Sequence, residues 1–133
     1  MKNHHPRRYH KREHQDLAFE RVAARAVAGL PRCVRRRLEN VAIIVEEEPS
    51  PEQLAESGLE TGDSLYGLYE GVPLGEDPGP FSLPARIALF RLPLIGDFGR
   101  GEALRKEIRR TIIHEVAHHF GLSEEEIERL GYE

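Results

Sequence analysis

The densest chemistry in the chain lies in five consecutive residues, His114-Glu115-Val116-Ala117-His118. They form an H-E-x-x-H motif. Imidazoles at i and i+4 share one helix face and can reach a single metal ion at about 2.0–2.1 Å each. Glu115, one residue on, sits beside such an ion rather than on it, where its carboxylate can take a proton from the water the ion holds. Zinc suits these donors, because it brings the pKa of its water toward about 7 and polarises a carbonyl under attack. The spacing therefore points to one Zn2+ ion and hydrolysis by activated water, with Glu115 as general base.

A catalytic zinc needs a third protein ligand, with the fourth position left to water. Beyond the second histidine the chain reads His119-Phe120-Gly121-Leu122-Ser123-Glu124. Gly121 is the natural residue to end the helix and turn the chain back. Ser123 and Glu126 have the spacing of a capping box, which places Glu124 in the first turn of a new helix. The positive end of that helix favours a carboxylate there. Glu124, six residues past His118, is the candidate third ligand. Glu125 and His119 are the alternatives, His119 facing about 100° away from His118 around the helix.

The motif needs a helix to carry it and a sheet to hold that helix. From Glu102 to His119, Ile108, Ile112, Arg105, Val116, Phe120, Ile113 and Ala117 fill one broad arc. His114 and His118 fall on the other side, with Glu107, Thr111 and Glu115 beside them, so the pair is expected to face a cleft. Upstream, the pattern predicts a helix from His14 to Ala28, ended by Gly29 and Pro31, and a second from Arg32 to Glu39. Val41–Val45 reads as a buried strand, Leu65–Tyr69 as a second and Arg86–Leu92 as a third. Gly67 inside the second strand suggests a close approach of another backbone. Ser50-Pro51-Glu52-Gln53 has the form of a capping box opening one or two turns through Ser57. Residues 72–84, with Pro73, Pro78, Pro80 and Pro84, read as a long irregular loop, and Gly96, Gly99 and Gly101 mark the turn into the last helical region. Two helices, three strands and two helices make an α+β domain over 14–133, behind a basic flexible tail at 1–13.

Composition narrows the class. With 133 residues, 39% hydrophobic and 32% charged, the chain has room for one small soluble domain. Cys33 is the only cysteine, which excludes an internal disulfide framework and a cysteine-rich zinc fold. The sequence has no apolar run long enough to span a membrane and none behind the first residues to act as a secretory signal, so a cytoplasmic protein is expected. The net charge of −4 is a balance of +8 over residues 1–37 against −12 over the rest. Such a split fits pairing of a basic helix with an acidic body, within the chain or across a homodimer. It also fits a basic arm for nucleic acid, although no interleaved aromatics or DNA-reading motif accompany the arginines. His4, His5, His10 and His14 belong to the polar tail, and nothing there fixes their geometry for a metal.

His114-Glu115-x-x-His118-x-x-Gly121-x-x-Glu124 resembles the H-E-x-x-H-x-x-G-x-x-D signature of the aspzincin-like branch of the zincins. Residues 114–123, His-Glu-Val-Ala-His-His-Phe-Gly-Leu-Ser, are more closely similar to a small bacterial family of zincin-like metallopeptidases, the mini-zincins. The likeness extends through Glu39-Asn40-Val41, Glu46-Glu47-Glu48-Pro49-Ser50-Pro51, Tyr66–Pro73 and Pro84-Ala85-Arg86-Ile87, over about residues 17–132. It implies a minimal zincin-like metalloprotease domain: a three-stranded sheet packed on N-terminal helices and an active-site H-E-x-x-H helix. It implies zinc on His114, His118 and a third acid, with Glu124 here where the family type has Asp. A methionine turn beneath the metal is absent, since the only methionine is Met1. Tyr132 is then a candidate floor for the site, or a phenol that stabilises an oxyanion. In larger zincins a peptide substrate adds to the sheet edge above the active-site helix, so the strand near 86–92 or near 65–70 would receive it, with loop 72–84 bordering the cleft. A domain this small leaves only a shallow cleft, which fits short peptides or one dedicated protein substrate.

Overall fold

Short helices and three strands, several of them bounded by Gly or Pro, set the architecture. A computed structural model describes residues 17–58, 65–71 and 85–129. The described chain opens with α1 (17–28), closed at Gly29, whose N–H donates to the Arg25 and Ala26 carbonyls. After Pro31 comes α2 (Arg32–Arg37), then β1 (Ala42–Glu46) and α3 (Pro51–Glu56). The capping box of α3 is complete: Ser50 Oγ accepts from the Gln53 N–H at 3.1 Å, and Gln53 Oε1 accepts from the Ser50 N–H at 2.8 Å. β2 (Gly67–Glu70) and β3 (Arg86–Phe90) follow, and α4 (Arg91–Phe98), α5 (Glu102–Phe120) and α6 (Glu124–Arg129) complete the order.

The three strands form one mixed sheet in the order β1-β3-β2, with β1 parallel to β3 and β2 antiparallel to it. Alternation sends Ile87 and Leu89 of β3 to the face covered by α5, where they join Ile108, Ile112, Ile113 and Val116 in the core. Phe19, Ala23 and Ala26 of α1 and Val34 of α2 close the other side of that core. The opposite face carries a polar bridge: Gln53 Nε2 donates to Glu46 at 3.2 Å and to Glu70 at 3.3 Å, while Arg86 Nε donates to Glu70 at 3.1 Å. One buried amide thus ties β1 to β2 across the central strand.

Three expectations are corrected. The Val41–Val45 segment is not the buried strand: β1 is an edge, exposed at Ala42 and half-buried from Ile43 to Glu46, whereas β3 between two neighbours is buried from Ile87 to Phe90. The third strand does not reach Leu92, because the chain turns into α4 at Arg91. Pro93 falls in the first turn of α4, where a missing N–H costs no helical bond. The Leu92 N–H donates instead to the Glu47 carbonyl at 2.9 Å, and the Arg91 guanidinium reaches the Glu47 carboxylate at 3.3 Å. α4 is therefore a helix that the expected order lacked, while α3 is the short helix expected through Ser57. The second strand begins at Gly67 rather than Leu65, although the Tyr66 carbonyl already accepts from Phe90 N–H at 2.9 Å. The 1–13 tail, the His14 end of the first helix and the 72–84 loop lie outside the described residues.

Gly67 admits the helix. A Cβ built on it would lie 2.6 Å from Thr111 Cγ2 of α5 and 3.2 Å from the Ala88 carbonyl oxygen. Gly67→Ala is therefore expected to destabilise the fold by about 1–3 kcal/mol. Adding Thr111→Ser, which deletes the obstructing methyl, should restore more than half of that loss in urea unfolding. An equally unstable double variant would contradict this contact.

Candidate metal centre

The Gly67 contact fixes the register of α5 against β2. Residues four apart on a helix are separated by about 6.0 Å along its axis, and residues two apart on a strand by about 6.6 Å. Thr111 against Gly67 thus brings Glu115 level with Tyr69, and the match is close. Glu115 Oε1 accepts a hydrogen bond from the Tyr69 N–H at 2.7 Å. One helical turn further, His119 stacks on the Tyr69 ring at a centroid distance of 4.4 Å, and Phe120 meets the same ring edge-on at 5.7 Å.

This row revises the expected helix faces. Thr111 and Glu115 do not stand with the histidines on an open side: Thr111 is buried and Glu115 is half-buried against β2. The edge strand extends the packing surface beyond the arc of Ile and Val residues, so polar groups beside that arc are drawn under it. His114 is half-buried and, among the described residues, makes no hydrogen bond or ring contact, and His118 is exposed with its ring 4.7 Å from that of His119. Two imidazoles one turn apart, neither hydrogen-bonded among the described residues, match the nitrogen donors of a zinc site in type and spacing.

The groups around them are tuned by burial. Desolvation pushes the Glu115 carboxyl above the ordinary glutamate range, opposed by the Tyr69 N–H and by the charge of His118. Desolvation also pushes His119 below the ordinary imidazole range, and His118 adds to that shift. The His119 Nε2 lies 4.0 Å from Glu115 Oε1. His119, an alternative third ligand, lies with its ring stacked on Tyr69.

After α5 the chain turns through Gly121 at φ 81° and ψ 25°, a left-handed cap that glycine takes without strain. The second capping box is formed: the Ser123 N–H donates to Glu126 Oε1 at 2.9 Å, and Ser123 Oγ accepts from the Glu126 N–H at 3.1 Å. Glu124 is the first residue of α6 and Glu125 is exposed beside it. The side-chain position of Glu124 and the whole of Tyr132 lie outside the described residues. Among the described residues no three His, Cys, Asp or Glu side chains converge as a metal cluster, so the described donors are the two histidines.

A model of the zincin-like metallopeptidase family matches residues 38–132, which includes β1 to α6 and the whole motif. The chain belongs to that family. A solved structure of a conserved hypothetical protein from T. thermophilus is 29% identical to this zincin-like chain, covering 77% of it and 91% of the other, with a TM-score of 0.49. No curated protein matches. Among the described residues no helix is long and apolar enough to cross a membrane.

Two sheet residues matter to this zincin-like site that the motif does not name. Tyr69 supplies the backbone donor for Glu115, and Gly67 sets the distance. Their signal was the period of two: residues 67 and 69 share a face, so a helix packed on one must meet the other. The expected edge near 86–92 is corrected, because β3 is the central strand and has no free edge, whereas β2 ends the sheet on the α5 side.

The α6 capping box has a pH signature. The Ser123 N–H holds the Glu126 carboxyl below the ordinary glutamate range. Its stabilisation is complete above the ordinary glutamate pKa and is lost as pH falls through the lowered one. The Ser123 amide resonance should titrate with a midpoint below that of an unstructured glutamate, and not at all in this range in Glu126→Gln. A midpoint at the unstructured value would contradict it.

Proposed function

We propose that this chain is a zinc-dependent peptidase in which His114, His118 and Glu124 hold one zinc ion and Glu115 is the general base. The observation that carries the reading is the pair of imidazoles on α5, without hydrogen bonds among the described residues, with a half-buried carboxylate between them in sequence, set beside the terminal strand of the sheet. Membership of the zincin-like metallopeptidase family supports it. When bound, the ion supplies a Lewis acid that polarises a peptide carbonyl and acidifies water.

The chain's own residues do the rest. His114, with no other partner among the described residues, offers nitrogen to the ion, and His118 offers a second nitrogen from the solvent side. The Gly121 cap turns the backbone so that α6 begins with Glu124, and the Ser123–Glu126 box holds that beginning. Glu115 takes the proton of the attacking water and passes it to the leaving amine. Partial burial favours that role, because it raises the carboxyl's affinity for a proton. Tyr132 is the candidate phenol for the oxyanion. An extended peptide on the edge of β2 is the substrate form this arrangement fits. The exposed arginines of α2 give less support to a nucleic-acid module. Arg35 Nε donates to the Leu30 carbonyl at 3.1 Å and Arg37 Nη1 to the Cys33 carbonyl at 3.0 Å, so both bind the chain's own backbone.

The test is zinc content by elemental mass spectrometry after dialysis against slight zinc excess, followed by a peptide-library digest. One equivalent is expected in the wild type and less than a tenth in His114→Ala. Glu115→Gln should keep the zinc and lose hydrolysis by at least about a hundredfold. No specific zinc in the wild type, or full turnover in Glu115→Gln, would overturn the reading.

A further inference from the structure

Edge strands expose every second residue's N–H and C=O to whatever lies beside the sheet. In β2 the Tyr66 carbonyl faces β3, where it accepts from Phe90 N–H, so Tyr69, three residues on, faces outward. Its N–H is one of the outward donors that an added strand would use. That donor is already engaged, because Glu115 Oε1 accepts from it at 2.7 Å. The carboxylate reaches it from α5 because Gly67 lets the helix pack close, and the Tyr69 ring is clamped between His119 and Phe120.

We infer that the Tyr69 N–H is a shared donor, holding the Glu115 carboxylate in the free protein and surrendering it to the carbonyl of an extended peptide that pairs with β2. The peptide then frees the carboxylate as it docks, so that occupancy of the strand edge and release of the base are one event. The inference rests on Glu115 being the base of the proposed peptidase. The competition for the donor stands on the geometry alone. Each carbonyl that pairs at Tyr69 must displace a charge-assisted hydrogen bond, which makes the free protein a weaker peptide binder than its edge strand alone would be. Glu115 is thereby a block on peptide binding as well as a group that uses the bound peptide.

Amide hydrogen exchange by NMR on the 133-residue chain tests the first half. The Phe90 amide, bonded inside the sheet to Tyr66, is the internal reference. In the wild type the Tyr69 amide should be protected although it lies on the outer edge, and Glu115→Ala should speed its exchange at least about tenfold with Phe90 unchanged. If Glu115→Ala unfolds, Phe90 loses protection as well, and Glu115→Gln carries the test. Its neutral oxygen is a weaker acceptor, and Tyr69 exchange should rise several-fold relative to Phe90. Unchanged Tyr69 exchange in the folded variant overturns the inference. The second half uses a capped pentapeptide of alternating valine and threonine, titrated while the Tyr69 amide resonance is followed. The same folded variant should bind it at least about threefold more tightly than the wild type. Equal or weaker binding, or no binding to either protein, overturns the competition. Zinc content separates this from the peptidase reading. A chain that takes up no zinc yet shows both effects refutes the peptidase and leaves the shared donor standing. A zinc-loaded, hydrolysing chain with unchanged Tyr69 exchange does the reverse.

Discussion

The missing Cβ at Gly67 is the constraint from which the arrangement of the site descends. It lets Thr111 of α5 sit where any other residue would place a methyl group, and that contact sets both the height and the register of the helix over the edge strand. With the first contact fixed, the near-equal advance of one helical turn and two strand residues carries the match to Glu115 and Tyr69, and then to His119 over the Tyr69 ring. The two histidines of the motif lie to one side of this row.

The rest of the fold keeps β2 in place for that contact. Gln53 bridges Glu46 and Glu70 from the far face, so the two outer strands are tied through a single buried amide. Arg86 adds a bond to Glu70 from the central strand; with its side chain 39% exposed, that ion pair contributes about 1 kcal/mol or less, and its role is chiefly geometric. The apolar side is held by Ile108, Ile112, Ile113 and Val116 packed on Ile87 and Leu89, all fully buried. The helix carrying the histidines is therefore anchored along its length by aliphatic packing. The chemistry is confined to its last two turns, which run beside the edge strand β2.

Much of this was legible in the residues. H-E-x-x-H on a long periodic helix, Gly121 as its stop and Ser123–Glu126 as the next start are short-range signals, and each depends on chemistry within a few residues. Gly67 was legible as a close approach but not as to what approaches. The α4 helix was hidden because Leu92, Pro93, Leu94 and Ile95 continue the apolar run of β3, and Pro93 reads as a break unless it is known to lie in a first turn. The place of Glu115 was misjudged for a tertiary reason. A helical wheel sorts side chains by the helix's own apolar arc, and it contains no edge strand offering an N–H to a carboxylate beside that arc. β3 as the central strand was likewise a matter of long-range pairing, which local pattern does not encode.

The claim on which the functional reading turns is that the α5 imidazoles and the first residue of α6 belong to one coordination sphere. Cobalt(II) in place of zinc tests it most directly, because the ligand-field absorption of cobalt reports coordination number and donor type without any substrate. The wild type is expected to show the intense visible bands of a four-coordinate site, His118→Ala to lose them and Glu124→Ala to shift or weaken them. Weak bands of a six-coordinate, solvent-like ion, unchanged by either substitution, would contradict it.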